Sequence, residues 1–325
     1  MERERPIVGK HGVMRYIIGV DLGGTQLRAA LADEQGRLLD EVRVRTLVDE
    51  GPAAVIDRIV ACVERVRAAL PAGGTLAGVG VGAPGPLDPY EGVVLDPPTM
   101  PGWDAIPLRA ILAERTGLPI ELGNDANAAA LGEWLYGAGR GCRNLAYVTV
   151  STGIGGGIIA DGRLLLGYRG AAAEVGNQII DAGSRAFWED LASGTGLAHA
   201  AADAMIDDPA SILHGIATPE SVTAADVARA AEAGDALAHG LMEREGDLIG
   251  IGLVNLLHMY APELILVGGS VVIHNPWLLV RARALIRERA FALYHGVPVE
   301  LARLGDRAGL LGAVALFLHM REGRA

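Results

Sequence analysis

Two glycine-bearing turns and one aspartate hold most of the chemical potential of this sequence. Asp21-Leu22-Gly23-Gly24-Thr25 follows an apolar run from Tyr16 to Val20. A carboxylate at the end of such a run is costly unless it meets a cation or hydrogen-bond donors. Gly23 and Gly24 permit close backbone approach, so the turn's amides can form an anion-binding concavity, and Asp21 can hold magnesium through water. The same residues also read as an ordinary hairpin turn. Ser151-Thr152-Gly153-Ile154-Gly155-Gly156-Gly157 follows a second apolar run, Leu145 to Val150, and offers amides and two hydroxyls to the terminal phosphates of a nucleotide. Two such turns at matching places in two half-chains are harder to ascribe to chance than one. Asp125, in Asn124-Asp125, stands before an Ala-rich helical pattern. It reads either as part of a helix cap or as a carboxylate that orients an attacking hydroxyl and takes its proton. Gly268-Gly269-Ser270 lies between a strand and a helix, where an α/β domain receives a nucleotide, although packing explains a Gly-Gly pair equally well. Glu174 and Glu189, in a stretch poor in charge, could accept hydrogen bonds from vicinal sugar hydroxyls or simply face solvent.

The elements that must position these residues follow from hydrophobic periodicity. Strands are predicted over 16–20, 27–31, 37–45, 76–81 and 119–122, with helices over 51–70, 104–116 and 127–136. A Gly/Pro-rich loop fills 82–101. The opening pattern then recurs as strands 145–150, 158–160 and 163–166, with Gly162-Arg163-Leu164 echoing Gly36-Arg37-Leu38. That is a weak internal duplication of a β-meander, each copy followed by α/β units. Helices are expected over 188–201, 223–233, 235–260, 277–289 and 307–319, and a buried strand over 264–267. Gly246, Gly250 and Gly252 weaken the case for one unbroken helix from 235 to 260. The domain division expected is a tail at 1–14, a first α/β domain at 15–122 completed by the C-terminal helix 307–320, and a second at 123–306.

Bulk composition narrows the chemistry. The 325 residues suffice for two domains. The net charge of −11 disfavours non-specific binding to nucleic acid or an anionic membrane. Lys10 is the sole lysine, so phosphate-loop and protein-kinase schemes, each built around a lysine, have no such residue in the folded region. Cys62 and Cys142 are too few and too far apart for a disulfide framework or a cysteine-rich zinc site. No secretory signal is read at the start and no apolar run is long enough to span a bilayer. The expected location is the cytoplasm.

Taken together, the chain resembles the ROK family of bacterial sugar kinases and sugar-responsive repressors. The matching runs include the first glycine turn, Gly82-Ala83-Pro84-Gly85-Pro86, Pro101-Gly102-Trp103, Asn124-Asp125-Ala126-Asn127-Ala128, the second glycine turn, Ala173-Glu174-Val175-Gly176 and Leu266-Val267-Gly268-Gly269. They occur in the family's order from about Ile17 to Leu316. The resemblance implies a two-domain actin-like ATPase fold of the ribonuclease H-like α/β class, with a sugar in an interdomain cleft that closes on binding. It implies ATP and Mg2+, Asp125 as general base, and sugar contacts from Gly85, Asn124, Glu174, Asn177 and Glu189. Phosphate contacts go to Gly23, Gly24, Thr25, Thr152 and Gly153, the adenosine side to Gly268 and Gly269, and the metal to Asp21 through water. Its partners would be a sugar, a nucleotide and further copies of itself, with glucose the first choice among hexoses. Another hexose, an N-acetylhexosamine, polyphosphate as donor, or a non-catalytic sugar sensor are the alternatives. Family repressors carry a winged-helix domain ahead of the first turn; about twenty residues stand there, which favours the kinase branch.

The chain departs from the family at its zinc loop. Asn177 stands where a zinc-binding histidine is usual, and no cysteine lies between it and Glu189. Yet Glu189 and Ser193-Gly194-Thr195-Gly196 match the residues that close that loop. A shortened, zinc-free loop anchored by burial of Phe187 and Trp188 is the expectation. Thr99 also replaces a common asparagine.

Overall fold

The computed structural model describes residues 14–322, and the tail expected at 1–14 lies almost wholly outside them. The chain divides into two units: one comprises 1–140, 166–172 and 306–325, the other 141–165 and 173–305.

In the first unit, β1 (Arg15–Leu22), β2 (Gln26–Asp33) and β3 (Leu38–Arg45) form an antiparallel meander. Helix α1 (Gly51–Arg67) follows and buries Val55, Ile59, Val63 and Val66, the face that its spacing predicts. Strand β4 (Thr75–Ala83) lies parallel to β1. A short ladder, β5 (Leu87–Asp88) and β6 (Val93–Val94), sits in the Gly/Pro loop. After α2 (Leu108–Thr116), β7 (Ile120–Asn124) adds parallel to β4, and α3 (Asp125–Leu135) leaves it. The sheet order is β3-β2-β1-β4-β7.

The second unit repeats the plan. Strands β8 (Leu145–Val150), β9 (Ile154–Ala160) and β10 (Arg163–Leu164) form the meander. Helices α4 (Trp188–Ala192), α5 (Gly194–Asp207), α6 (Ala224–Glu232) and α7 (Ala236–Tyr260) follow. Strand β11 (Leu264–Gly268) is parallel to β8, and α8 (Ser270–His274), α9 (Leu278–Arg289) and β12 (Val299–Leu301) complete the unit. Its order, β10-β9-β8-β11-β12, matches the first sheet position for position, so the duplication read in the sequence is a duplication of fold.

Three expectations need correction. The division falls after Arg140, not at 122, because α3 packs on α10 (Ala308–Glu322). The two helices touch backbone to backbone: a Cβ on Gly132 would lie 2.9 Å from the Gly312 amide nitrogen, and one on Gly312 2.4 Å from the Ala128 carbonyl. Segment 166–172 also belongs to the first unit, where Arg169 Nε donates to Asp88 at 2.9 Å. That pairing lowers the Asp88 pKa. Finally, the helix expected over 188–201 breaks at Ser193, whose backbone is extended. Helix α7, by contrast, runs unbroken. Gly252 is required there, because a Cβ would lie 2.1 Å from the Trp188 ring.

Candidate active site

In the first unit the candidate residues gather at one edge of the sheet. Strands β1, β4 and β7 are parallel, and Asp21 registers with Gly82, which registers with Gly123. Asp125 is the first residue of α3, just past that row. Two strand spacings, about 10 Å, therefore separate the β1 and β7 chains where the Asp21 turn and the Asp125 helix begin. Both lie at the carboxyl ends of parallel strands, where α/β sheets bind ligands.

Asn124, not Asp125, is the N-cap. Its Oδ1 accepts from the amides of Ala126 at 2.9 Å and Asn127 at 3.2 Å. Asp125 Oδ1 accepts from the Ala126 amide at 2.7 Å, and the side chain is half-buried. The carboxylate is thus held at the start of α3 while still reaching solvent. Gly85 stands beside this cap, since a Cβ there would lie 3.2 Å from Asn124 Nδ2. These contacts bring Gly85, Asn124 and Asp125 together.

The Asp21 turn is closed by the Gly23 amide donating to the Gln26 carbonyl at 2.9 Å. Gly24 abuts Thr99, whose carbonyl would be 3.0 Å from a Cβ on that glycine. Asp21 meets the cation that its position demands: Arg28 Nε donates to Oδ2 at 3.1 Å and Nη2 at 2.5 Å. Arg28 also donates through Nη1 to the Asp306 carbonyl at 2.5 Å. Sequence reasoning missed Arg28, although its β-strand position directly opposite Asp21 was available once the hairpin register was drawn.

The second unit assembles the other candidates. Gly268 registers with Thr149, one residue before the end of β8, so the Ser151–Gly153 turn and Gly269-Ser270 are neighbours. Ser151 Oγ and Ser270 Oγ are 3.1 Å apart. Glu189 reaches the same turn, its Oε2 accepting from the Ile154 amide at 2.7 Å and lying 2.3 Å from where a Gly153 Cβ would sit. Glu174 lies close enough to feel Glu189. Partial burial, then the Glu189 charge, raises the Glu174 pKa above the usual carboxylate value, although its side chain reaches solvent. Asn177 is exposed one turn on, with its amide donating to the Glu174 carbonyl at 3.2 Å.

Beside Gly269-Ser270 lies a cavity of about 250 Å³, lined by Leu197, Ala228, Arg229, Ser270, Val271 and Asn275 among others. Its walls are mostly apolar, with a guanidinium and an amide at hand, which suits a planar heterocycle with polar edges.

The loop between Asn177 and Glu189, which has no cysteine, is held differently than expected. Trp188 is fully buried and its Nε1 donates to the Leu248 carbonyl at 2.9 Å. Phe187 is not an anchor: it is 41% exposed. What closes the loop instead is backbone. Trp188 N donates to Gln178 O at 2.7 Å, Ile180 N to Ala186 O at 3.1 Å, and Phe187 bridges Ile179. Asp181 ties the tip by accepting from the Gly183 and Ser184 amides, each at 3.1 Å. Among the described residues, no group of three or more His, Cys, Asp or Glu is placed to hold a metal ion. Cys62 and Cys142 are thiols outside any disulfide, and burial raises both pKa values. No helix among the described residues is long and apolar enough to cross a membrane.

Comparison with known proteins places these features in context. Residues 17–320 match the model of the ROK family. The chain is 33% identical over 309 residues to a glucokinase of Thermotoga maritima, covering 92% of this chain and 96% of that one. Among solved structures, a ROK hexokinase from Thermus thermophilus superposes with a TM-score of 0.80 at 36% identity, covering 95% of this chain and all of that one. A ROK family glucokinase from Streptomyces griseus, solved with glucose and AMPPNP, gives a TM-score of 0.77 at 33% identity, covering 93% and 98% of the two chains. The repeated sheet is accordingly the actin-like ATPase, ribonuclease H-like α/β fold.

Proposed function

The chain belongs to the ROK family, and from that premise we propose that this sugar kinase transfers the γ-phosphoryl group of ATP to a hexose, glucose giving glucose 6-phosphate, with Asp125 as general base. The observation that carries the reading lies in the first unit. A half-buried carboxylate stands at the same sheet edge as a glycine turn built to face an anion, about two strand spacings away. The sugar is held by Gly85, Asn124, Glu174, Asn177 and Glu189. Its hydroxyl oxygen attacks the γ-phosphorus, the hydroxyl proton passes to the Asp125 carboxylate, and ADP leaves with the electrons of the broken bond. Gly24, Thr25, Thr152 and Gly153 hold the phosphates by backbone and hydroxyl groups, and Gly23, whose amide is committed to the Gln26 carbonyl, shapes the first turn instead of donating to phosphate. Gly268 and Gly269 lead directly into Ser270, which lines the cavity that takes the adenosine.

Asp21 suits Mg2+ as a water-mediated partner. Arg28 occupies Oδ2 and leaves Oδ1, and Mg2+ commonly takes only one or two carboxylates beside phosphate and water. When bound, the ion would neutralise charge on the β and γ oxygens. Arg28 fixes the carboxylate on which that water would hang. We further propose that the enzyme works in the cytoplasm as a homo-oligomer, which light scattering tests.

A coupled ADP-release assay over a panel of hexoses and N-acetylhexosamines, with ATP and polyphosphate as donors, tests the whole reading. Asn177, a neutral amide beside Glu174, makes the panel necessary, because it changes what the sugar meets there. Silence with every sugar and donor would mean a sensor. Asp125→Ala should lower kcat at least ~10²-fold while sugar binding persists. A near-normal rate removes Asp125 as the base.

A further inference from the structure

The two phosphate turns are each held from behind by a threonine that lies outside the turn itself. In the first unit Thr46 follows β3 and is completely buried. Its Oγ1 donates to the Gly23 carbonyl at 2.6 Å and its amide to the Thr25 carbonyl at 2.9 Å. In the second unit Thr195 lies in the first turn of α5. Its Oγ1 and its amide both donate to the Thr152 carbonyl, at 2.9 and 3.3 Å, while the neighbouring Gly194 amide donates to the Ser151 carbonyl at 2.7 Å.

The geometry of a trans peptide turns these contacts into a statement about direction. Carbonyl and N–H of one planar unit point opposite ways. A threonine that captures the Gly23 carbonyl therefore turns the Gly24 N–H to the far side of the turn. Capture of the Thr152 carbonyl does the same for the Gly153 N–H, and Gly194 does it for the Thr152 N–H. Three other turn amides are already committed, Gly23 to Gln26, Ser151 to the Gly153 carbonyl, and Ile154 to Glu189. The amides of Gly24, Thr152 and Gly153 are left facing away from the protein's own carbonyls.

We propose that Thr46 and Thr195 are positioning residues that aim these amides at the polyphosphate of the donor. The proposal rests on the reading that the donor is a nucleoside triphosphate. Neither threonine touches the nucleotide. Each acts by denying its turn any other orientation, so the turn needs no reorganisation when phosphate arrives. Burial makes the Thr46 contact the stronger of the two, since an exposed hydroxyl such as that of Thr195 competes with water.

The test compares Thr46→Val, Thr195→Val, Thr46→Ser and Thr195→Ser in the full chain. Calorimetry reads affinity for AMPPNP, adenosine and the sugar, and thermal unfolding reads stability. Each valine variant should lose roughly three- to tenfold in AMPPNP affinity, as expected for one hydrogen bond, and keep its adenosine and sugar affinities. The serine variants retain the hydroxyl and should bind AMPPNP like the unaltered chain. AMPPNP affinity within twofold of normal in both valine variants overturns the proposal. So does an equal loss for AMPPNP and adenosine, which marks a merely structural role. Should Thr46→Val fail to fold, the exposed Thr195 position decides alone. Failure of the unaltered chain to bind AMPPNP sinks the kinase reading itself; normal binding with unaffected variants sinks only this inference.

Discussion

Trp188→Ala probes the aromatic anchor of the cysteine-free loop between Asn177 and Glu189. Trp188 is fully buried, its ring packs against Gly252 of α7, and its indole N–H is satisfied by the Leu248 carbonyl. Truncating a buried tryptophan costs about 3–5 kcal/mol, since transfer energy and a cavity are lost together. For a unit of this size each kcal/mol shifts the melting midpoint by about 2–4 °C, so a fall of roughly 6–20 °C is expected. Calorimetry is the suitable assay because it does not depend on tryptophan emission. Function should follow, because the next residue is Glu189, whose carboxylate holds the Ile154 amide of the second phosphate turn. The KM for sugar should rise, and the KM for ATP with it. Phe187→Ala supplies the contrast: that ring is 41% exposed, so its loss should cost well under half as much. A Trp188→Ala midpoint within 2 °C of normal, with an unchanged sugar KM, would show that the backbone ladder from Gln178 to Trp188 suffices and that burial of the indole is incidental.

Two pH effects follow from displaced carboxyl groups. Glu174 keeps its proton to a higher pH than an ordinary glutamate, through partial burial and then the Glu189 charge, so its capacity to accept from sugar hydroxyls fails early on acidification. The acid limb of kcat/KM for sugar should lie above the usual carboxylate range, and Glu189→Gln should move it to lower pH; a limb that stays in place counts against the pairing. Glu245 is completely buried in α7, neither carboxyl oxygen has a hydrogen-bond partner, and burial pushes its pKa up from 4.5 to about 8. Between those values the folded chain keeps a proton that the unfolded chain releases. The contribution of Glu245 to stability is therefore fully present below about pH 4.5 and is lost by up to about 1.4 kcal/mol per pH unit until about pH 8. Glu245→Gln should flatten that slope in denaturant titrations run at several pH values, and an unchanged slope refutes the assignment.

What was legible in the sequence was local. Each glycine turn announces itself because a side chain would collide there, with Thr99 at Gly24 and with Glu189 at Gly153, and the period-2 runs around it report buried strands. Once two copies are recognised, the repeated sheet order follows. What was hidden depends on partners far along the chain. The first unit extends to Arg140 because Gly132 of α3 meets Gly312 of α10, and nothing in the local pattern of 123–140 reports a helix that begins at Ala308. The return of 166–172 to the first unit rests on Arg169 finding Asp88, a pairing of two unremarkable charged residues. Phe187 misled because aromatic composition cannot say which of two adjacent rings faces inward when a bridge to Ile179 sets the local alternation. Thr46 carried no signal at all, since its worth lies in which carbonyls it captures.

Under the proposed function, the duplication also accounts for how an acidic chain with one lysine would manage a polyanion. A point charge such as a lysine ammonium attracts phosphate from any direction, whereas a backbone amide contributes only if it is aimed. The two sheets provide equivalent places for such amides, one turn after the first strand of each. The first turn has a carboxylate already balanced by Arg28, which suits a hydrated cation, and the second has hydroxyls and no charge of its own, which suits phosphate oxygen directly. Under the proposed function aiming is the limiting requirement, the part proposed above for the threonine behind each turn. On this argument adding positive charge near either turn is a poor substitute for the lost threonine: Thr195→Lys should attract nucleotide more strongly at low salt yet turn over more slowly than Thr195→Ser at any salt, because attraction does not restore direction.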